Sequence, residues 1–295
     1  MSSGSHRYIV VDVFTEKPLE GNALAVFPDA RGIEESLLAK IARELNLSET
    51  VFVYPATRPD CAAKLRIFTP SRELAFAGHP TVGAAWVLRE EGLVAKKDAN
   101  FALEEPVGPV PVRIDAGTRP LIWLRTPPIQ FGQTFDRKEC AAALGLSPSD
   151  LAEADPQLVT AGNPTVFLPL KTKEAVDRAS LEMAGMRKLK GAEEQVLCVF
   201  VFAPMVQGAY ARMFAPEHGI IEDPATGSST GPLAAYMLRF GLLSGERRRQ
   251  FVSEQGTKMG RRSFLHVQMH GNDGAEGIDV GGYVTPIAEA TMRLS

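Results

Sequence analysis

The chain repeats itself, and that constrains its fold more than any other feature. Ala161-Gly-Asn-Pro-Thr-Val-Phe-Leu168 echoes Glu20-Gly-Asn-Ala-Leu-Ala-Val-Phe27, Arg212-Met-Phe-Ala-Pro216 matches Arg66-Ile-Phe-Thr-Pro70, and Asp223-Pro-Ala-Thr-Gly227 matches His79-Pro-Thr-Val-Gly83. The last two pairs lie 146 residues (66 to 212) and 144 residues (79 to 223) apart, so one alignment with a two-residue gap serves both. Patterns recurring in one order at nearly one offset indicate two like domains. The Arg119-Pro120 to Pro127-Pro128 stretch breaks elements and marks the boundary. The expected division is 1–125 and 126–282, with a strand from about 283–295 returning to the first domain.

Within the first copy the order reads strand, Gly-Asn turn, strand, helix, strand. The predicted helix runs from Ile33 to Asn46, with Leu37, Leu38, Ile41, Ala42 and Leu45 on one face, and it packs on a sheet. A second helix of small residues is predicted from Pro80 to Glu91, ending at Gly92. These elements give an α+β fold. Lys+Arg 32 against Asp+Glu 35 leaves a net charge of −3, without the basic excess that binding a phosphate backbone relies on, so nucleic acid is not an expected partner. The longest apolar run, Val196 to Val206, is too short to span a bilayer and contains a proline; it reads as a buried strand, and no membrane partner is expected. The N-terminal residues lack the pattern of a signal peptide, and Cys61, Cys140 and Cys198 are too scattered for a disulfide framework or a zinc site. A reducing, cytoplasmic setting with no metal is the expectation.

The paired loops suggest chemistry. Proline favours the first turn of a helix, and a polar residue before it can cap free amides, which places Pro80 and Pro224 at helix starts with His79 and Asp223 in equivalent positions. A pseudo-twofold relation would turn both helix N-termini into one interdomain cleft, where their unpaired N–H groups and partial positive charge suit a small carboxylate. Withdrawing charge from that carboxylate makes a neighbouring carbon-bound proton easier to remove. Glu49, at the junction of a helix and a strand, is the candidate base; His79 and Asp223 add one possible acid and one possible base, Ser228 a hydroxyl, and Gly78 and Gly227 close backbone approach.

These residues resemble the PhzF-like proteins of phenazine biosynthesis, within the diaminopimelate-epimerase-like fold. The likeness rests on Asp12-Val-Phe-Thr15 with Gly21-Asn22, Leu47-Ser-Glu-Thr50, Glu73 with Ala77-Gly-His-Pro-Thr-Val-Gly83, Asp223-Pro-Ala-Thr-Gly-Ser228, Glu254-Gln-Gly256 with Met259-Gly-Arg261, and Val280-Gly-Gly282. It covers nearly the whole chain. The resemblance implies two pseudo-symmetric domains, each a mostly antiparallel sheet wrapped around a central helix, and a cofactor-independent isomerase or epimerase, usually a homodimer. It implies Glu49 as the proton shuttle, His79, Asp223 and Ser228 around the substrate, and Gly78 and Gly227 as backbone donors. Arg262 stands where the family pattern has proline. Related epimerases use two cysteines as acid and base, and no cysteine lies in either loop. The rival from another class is a catalytically silent carboxylate-binding protein of the same fold. Two decoys also occur: Gly227-Ser-Ser-Thr-Gly231 fits the nucleophile elbow of hydrolases but lacks a strand directly before it, and His266 and His270 have helical metal-ligand spacing inside a strand-like alternation.

Overall fold

The computed structural model describes residues 4–190 and 198–294, so Val196 and Leu197 of the predicted apolar strand lie outside the described residues. The chain divides into two compact units, Met1–Arg125 with Gly281–Ser295, and Thr126–Val280.

The first unit contains β1 (Ser5–Val13), β2 (Asn22–Phe27), α1 (Glu35–Leu45), β3 (Glu49–Tyr54), β4 (Ala63–Phe68), β5 (Glu73–Leu74), α2 (Gly78–Glu90), β6 (Asn100–Glu105), β7 (Gly108–Ile114) and β8 (Ile122–Arg125). The second contains β9 (Gln130–Thr134), α3 (Arg137–Ala143), β10 (Gln157–Thr160), β11 (Thr165–Pro169), α4 (Lys173–Arg178), α5 (Met183–Lys190), β12 (Cys198–Met205), β13 (Gly208–Ala215), β14 (Ile220–Asp223), α6 (Gly227–Arg239), β15 (Gln250–Gln255), β16 (Ser263–His270) and β17 (Gly277–Gly282) as far as Val280, the boundary falling within β17. The closing strand, β18 (Val284–Arg293), pairs antiparallel with β1.

Both units are wired alike. In the first, β1 pairs antiparallel with β2, β2 parallel with β3, β3 antiparallel with β4, β4 parallel with β6, and β6 antiparallel with β7. In the second, β10, β11, β12, β13, β15 and β16 follow the same sequence of pairings. Each parallel pair needs a crossover long enough to carry a helix. Here α1 and α2 supply the crossovers of the first unit, and α4, α5 and α6 those of the second.

α2 is the central helix of its unit, buried from Gly78 to Ala85 and packed against β1, β2, β3 and β8. A helix apolar on nearly all sides belongs in an interior. Its approach depends on Gly83, where an added Cβ would lie 2.5 Å from Leu24 and 2.9 Å from Val13. α1 is instead amphipathic and covers the outside of the sheet with Leu38, Ile41 and Ala42, against Phe27, Phe52 and Phe68. It ends in Asn46, which adopts the left-handed conformation that asparagine tolerates, and the chain then turns into β3 with Glu49 as its first residue.

The arginines of the repeat are structural. Arg66 pairs with Glu73 at 2.7 Å and lies over the Phe68 ring; Arg212 pairs with Glu222 at 2.8 Å and lies over Phe214. The two pairs differ in burial: the Arg66 side chain is 22% exposed, whereas Arg212 is 9% exposed and also donates to the carbonyls of Val176, Asp177 and Ala179. Removing one partner of a buried pair leaves an uncompensated charge, so Arg212→Ala is expected to cost about 3–5 kcal/mol. Arg66→Ala is expected to cost about 1 kcal/mol or less, because water screens the pair. Urea unfolding of the two variants checks this, and equal losses would contradict the burial argument.

Candidate active site

In the first unit three candidate residues come together. Glu49 opens β3 opposite Leu24 of β2, and His79 occupies the first turn of α2 beside Gly78. The His79 Nε2 atom lies 3.2 Å from Glu49 Oε2, and both residues are buried. Asn22, at the start of β2, donates from its amide nitrogen to His79 Nδ1 at 3.2 Å. An amide N–H can only donate, so Nδ1 is the acceptor and the proton of the neutral ring sits on Nε2, facing Glu49. The contact is close but not yet aligned as a hydrogen bond. Sites of this kind commonly tighten once a ligand is bound.

Burial pushes the His79 imidazole down to about 3, so the ring is neutral at pH 7. Neutral imidazole can relay a proton to or from a carboxylate without adding a fixed charge. No charged group is needed to hold the ring, since Asn22 orients it.

In the second unit Asp223 ends β14, and Gly227 and Ser228 begin α6. The Thr226 hydroxyl donates to the Asp223 carboxylate, and the Ser228 hydroxyl accepts from the Asn163 amide at 3.4 Å. Gln255 ties the turn together: its Nε2 donates to the Asp223 carbonyl at 2.7 Å and to Thr226 Oγ1 at 2.9 Å, while its Oε1 accepts the Thr226 amide at 3.2 Å.

These contacts correct the sequence alignment of the loops. α2 and α6 each have 13 residues and start at Gly78 and Gly227, and Thr81 and Thr230 donate to the carbonyls of Ala77 and Thr226 in the same way. The Asn22–His79 contact therefore corresponds to Asn163–Ser228. His79 is equivalent to Ser228, not to Asp223, whose counterpart is Leu74: Leu74 pairs with Ile67 as Asp223 pairs with Met213. Pro224 lies before α6 rather than in its first turn, whereas Pro80 does lie in the first turn of α2. The strand registers likewise make Cys198 the counterpart of Glu49, since Thr50 opposes Phe68 as Val199 opposes Phe214. Acid–base side chains thus sit at positions 49 and 79 of one copy, and a thiol and a hydroxyl at the same places in the other.

Residues 11–290 match the model of the PhzC-PhzF family, described as phenazine biosynthesis-like protein. The trans-2,3-dihydro-3-hydroxyanthranilate isomerase of Pseudomonas aeruginosa is 34% identical, over 98% of this chain and all of the relative. The chain belongs to the PhzC-PhzF family. Among solved structures, the Bacillus anthracis phenazine biosynthesis protein of the PhzF family superposes with a TM-score of 0.85 at 26% identity, covering 98% of this chain and 99% of that one. A probable proline racemase from Agrobacterium radiobacter K84 shares the fold, with a TM-score of 0.68 at 14% identity, covering 98% and 93%. The chain is thus a PhzF-family isomerase with a diaminopimelate-epimerase-like α+β fold.

The decoys resolve on local structure. Ser229 is buried inside the first turn of α6 and bonds Thr165, so the PhzF-family chain has no nucleophile elbow there. His266 and His270 sit on the half-exposed face of strand β16, and His270 pairs with Asp279 at 2.8 Å. Arg262, in place of the family's proline, pairs with Glu254 at 2.8 Å. Among the described residues no helix is long and apolar enough to cross a membrane. Two further residues bear on the turns, Asn22 and Gln255. Both stand in the motifs of the resemblance, which assigns a role to neither side chain; their partners emerge from the structure.

The His79 burial predicts a pH signature. Below pH 6.5 the unfolded chain takes up a proton at His79 and the folded chain does not until about pH 3, so stability contributed by the neutral ring is lost as pH falls across that window. His79→Gln should remove this part of the slope in denaturation measured from pH 7 to 4. An unchanged slope would show that the ring is charged in the fold.

Proposed function

We propose that this chain moves a carbon-bound proton on a small carboxylate-bearing substrate without a cofactor, with Glu49 as the acid/base. The observation that supports this best is the buried contact between Glu49 Oε2 and the neutral His79 ring at the N-terminus of α2. The amides that begin a helix have no acceptor inside it and carry the positive end of its dipole. In this reading the amides at Gly78–His79 hold the substrate carboxylate and take up the charge that develops as the proton leaves. The second unit offers Asp223, Ser228 and the Gly227 amide as polar groups for a ligand.

The step balances without an oxidant or reductant. Glu49 accepts a proton from carbon, the electron pair left behind delocalises toward the bound carboxylate, and the protonated Glu49 returns the proton at a second carbon or on the other face of the first. His79 keeps the Glu49 carboxyl oriented through either half of the cycle. The named reaction of the Pseudomonas aeruginosa relative, an isomerisation of a carboxylate-bearing ring, agrees with this class. The reading includes a homodimer in the cytoplasm, as the family likeness implies, with neither nucleic acid nor membrane as partner.

Solvent-deuterium incorporation tests it, using small carboxylic and amino acids that include trans-2,3-dihydro-3-hydroxyanthranilate. Exchange is expected in the wild type and at least a hundredfold less in Glu49→Gln, within the ~10²–10⁴ that a general acid–base group contributes. Equal exchange in both proteins removes Glu49 from its role. Carboxylate binding without exchange across the panel would favour the silent binding protein.

A further inference from the structure

Beneath the first turn of α2 lies a carboxyl group that the proposed chemistry does not use. Glu105, the last residue of β6, is 3% exposed. Its Oε1 is 2.6 Å from the Thr81 hydroxyl, it accepts the Ala77 amide, and its Oε2 is buried with no hydrogen-bond partner among the described residues. The Thr81 hydroxyl is also 2.7 Å from the Ala77 carbonyl. It therefore has two close acceptors and a single proton. A carbonyl cannot donate, and Thr230 shows where the proton belongs, since it gives its own to the Thr226 carbonyl. With Thr81 bonded in the same way, the remaining short contact needs a donor on Glu105.

The second unit contains the same device in a form that cannot ionise. Glu104 opposes Lys64 as Glu254 opposes Tyr210, so the next residues, Glu105 and Gln255, are equivalent. Gln255 accepts the Thr226 amide through Oε1 and donates through Nε2, as a protonated carboxyl at 105 would accept the Ala77 amide and donate through its hydroxyl.

We infer that Glu105 is a positioning residue that works as a neutral carboxylic acid, accepting the Ala77 amide and donating to Thr81, and so fixes the turn that carries Gly78 and His79. The importance of that turn rests on the proposed function; the protonation of Glu105 does not. The surroundings agree. Burial pushes the Glu105 carboxyl up to about 8, against weaker opposing effects of Thr81 and the Ala77 amide. Thr81 and Ala77 are the groups that face it from α2; the neighbouring Glu104 is held separately by Thr57, Arg58 and Lys64. No charged side chain among the described residues acts on Glu105 from these elements.

Carbon-13 NMR of the glutamate carboxyls, assigned with Glu105→Gln, is the direct test. The Glu105 signal is expected to be that of a protonated acid at pH 6.5 and to titrate near 8; an ionised signal at pH 6.5 overturns the inference whether or not any substrate is in hand. Linkage supplies a second readout. The unfolded chain loses this proton near 4.5 and the folded chain near 8, so wild-type stability should fall as pH rises between those values, and Glu105→Gln should lack that fall.

Deuterium exchange supplies the third. Glu105→Ala should lose roughly tenfold to a hundredfold, the penalty of small misplacements, and Glu105→Gln should restore most of it while abolishing the decline above pH 8. If Gln is as damaging as Ala, the neutral-acid role is wrong even though Glu49 keeps its place. If Glu49→Gln leaves exchange intact, the reaction reading fails and the carboxyl titration still decides the state of Glu105.

Discussion

A helix buried on nearly every side cannot leave the polar groups of its first turn to water, and this requirement organises the chain. α2 and α6 both start without a side-chain cap on the N-cap residue. The surrounding sheet supplies partners instead: a carboxyl or carboxamide from the end of β6 or β15 engages the N-cap amide, and an asparagine at the start of β2 or in the loop before β11 meets the first-turn side chain. Leaving a buried amide unsatisfied costs about 1–3 kcal/mol, so these contacts are part of the fold before they are part of any site.

Much of this architecture was legible because duplication writes the same pattern twice. Arg66-Ile-Phe and Arg212-Met-Phe recur since each arginine pairs with a glutamate and stacks over the phenylalanine two residues on. The amphipathic spacing of α1 was equally readable, with Leu38, Ile41 and Ala42 in the core and Leu37 and Leu45 half-buried at its margin. What misled was X-Pro-x-x-Gly. The second copy has three extra residues between its arginine and glutamate, from 212 to 222 rather than 66 to 73, and the Pro216–His218 turn lies in that stretch. Matching proline to proline forced a deletion where the chain has an insertion. Anchoring on the glutamates that pair with the aligned arginines, and then on Thr81 and Thr230, would have put His79 opposite Ser228.

Glu105 was illegible for a different reason. A glutamate beside another glutamate at a strand end looks like a solvated pair, and alternation along the strand decides which of the two faces inward. Glu104 lies where Thr57, Arg58 and Lys64 satisfy a charge, and Glu105 lies where burial outweighs the only groups that favour one, the Thr81 hydroxyl and the Ala77 amide. Only the equivalence with Gln255 marks the inward residue as a group whose neutral form is the useful one, and that equivalence needs the strand register.

Each scaffold position thus supports two chemistries, and the divergence is confined to side chains. Position 49 is a carboxyl in one copy and the Cys198 thiol in the other; position 79 is an imidazole and the Ser228 hydroxyl; position 74 is the leucine whose counterpart is Asp223. The order of parallel and antiparallel pairings and the helix starts are the same in both copies, although the strand pair at 223 carries a register shift that the pair at 74 lacks. The pair at 49 and 79 is a carboxyl beside a neutral imidazole, whereas the equivalent positions of the other copy hold a thiol and a hydroxyl, so the two copies differ in the acid–base groups they present. An ancestral pair of equal halves sharing acid and base would need a competent group at both places. This chain holds the carboxyl and the imidazole at 49 and 79 together within the first unit, so the one-base reaction proposed for Glu49 draws its acid–base groups from a single copy.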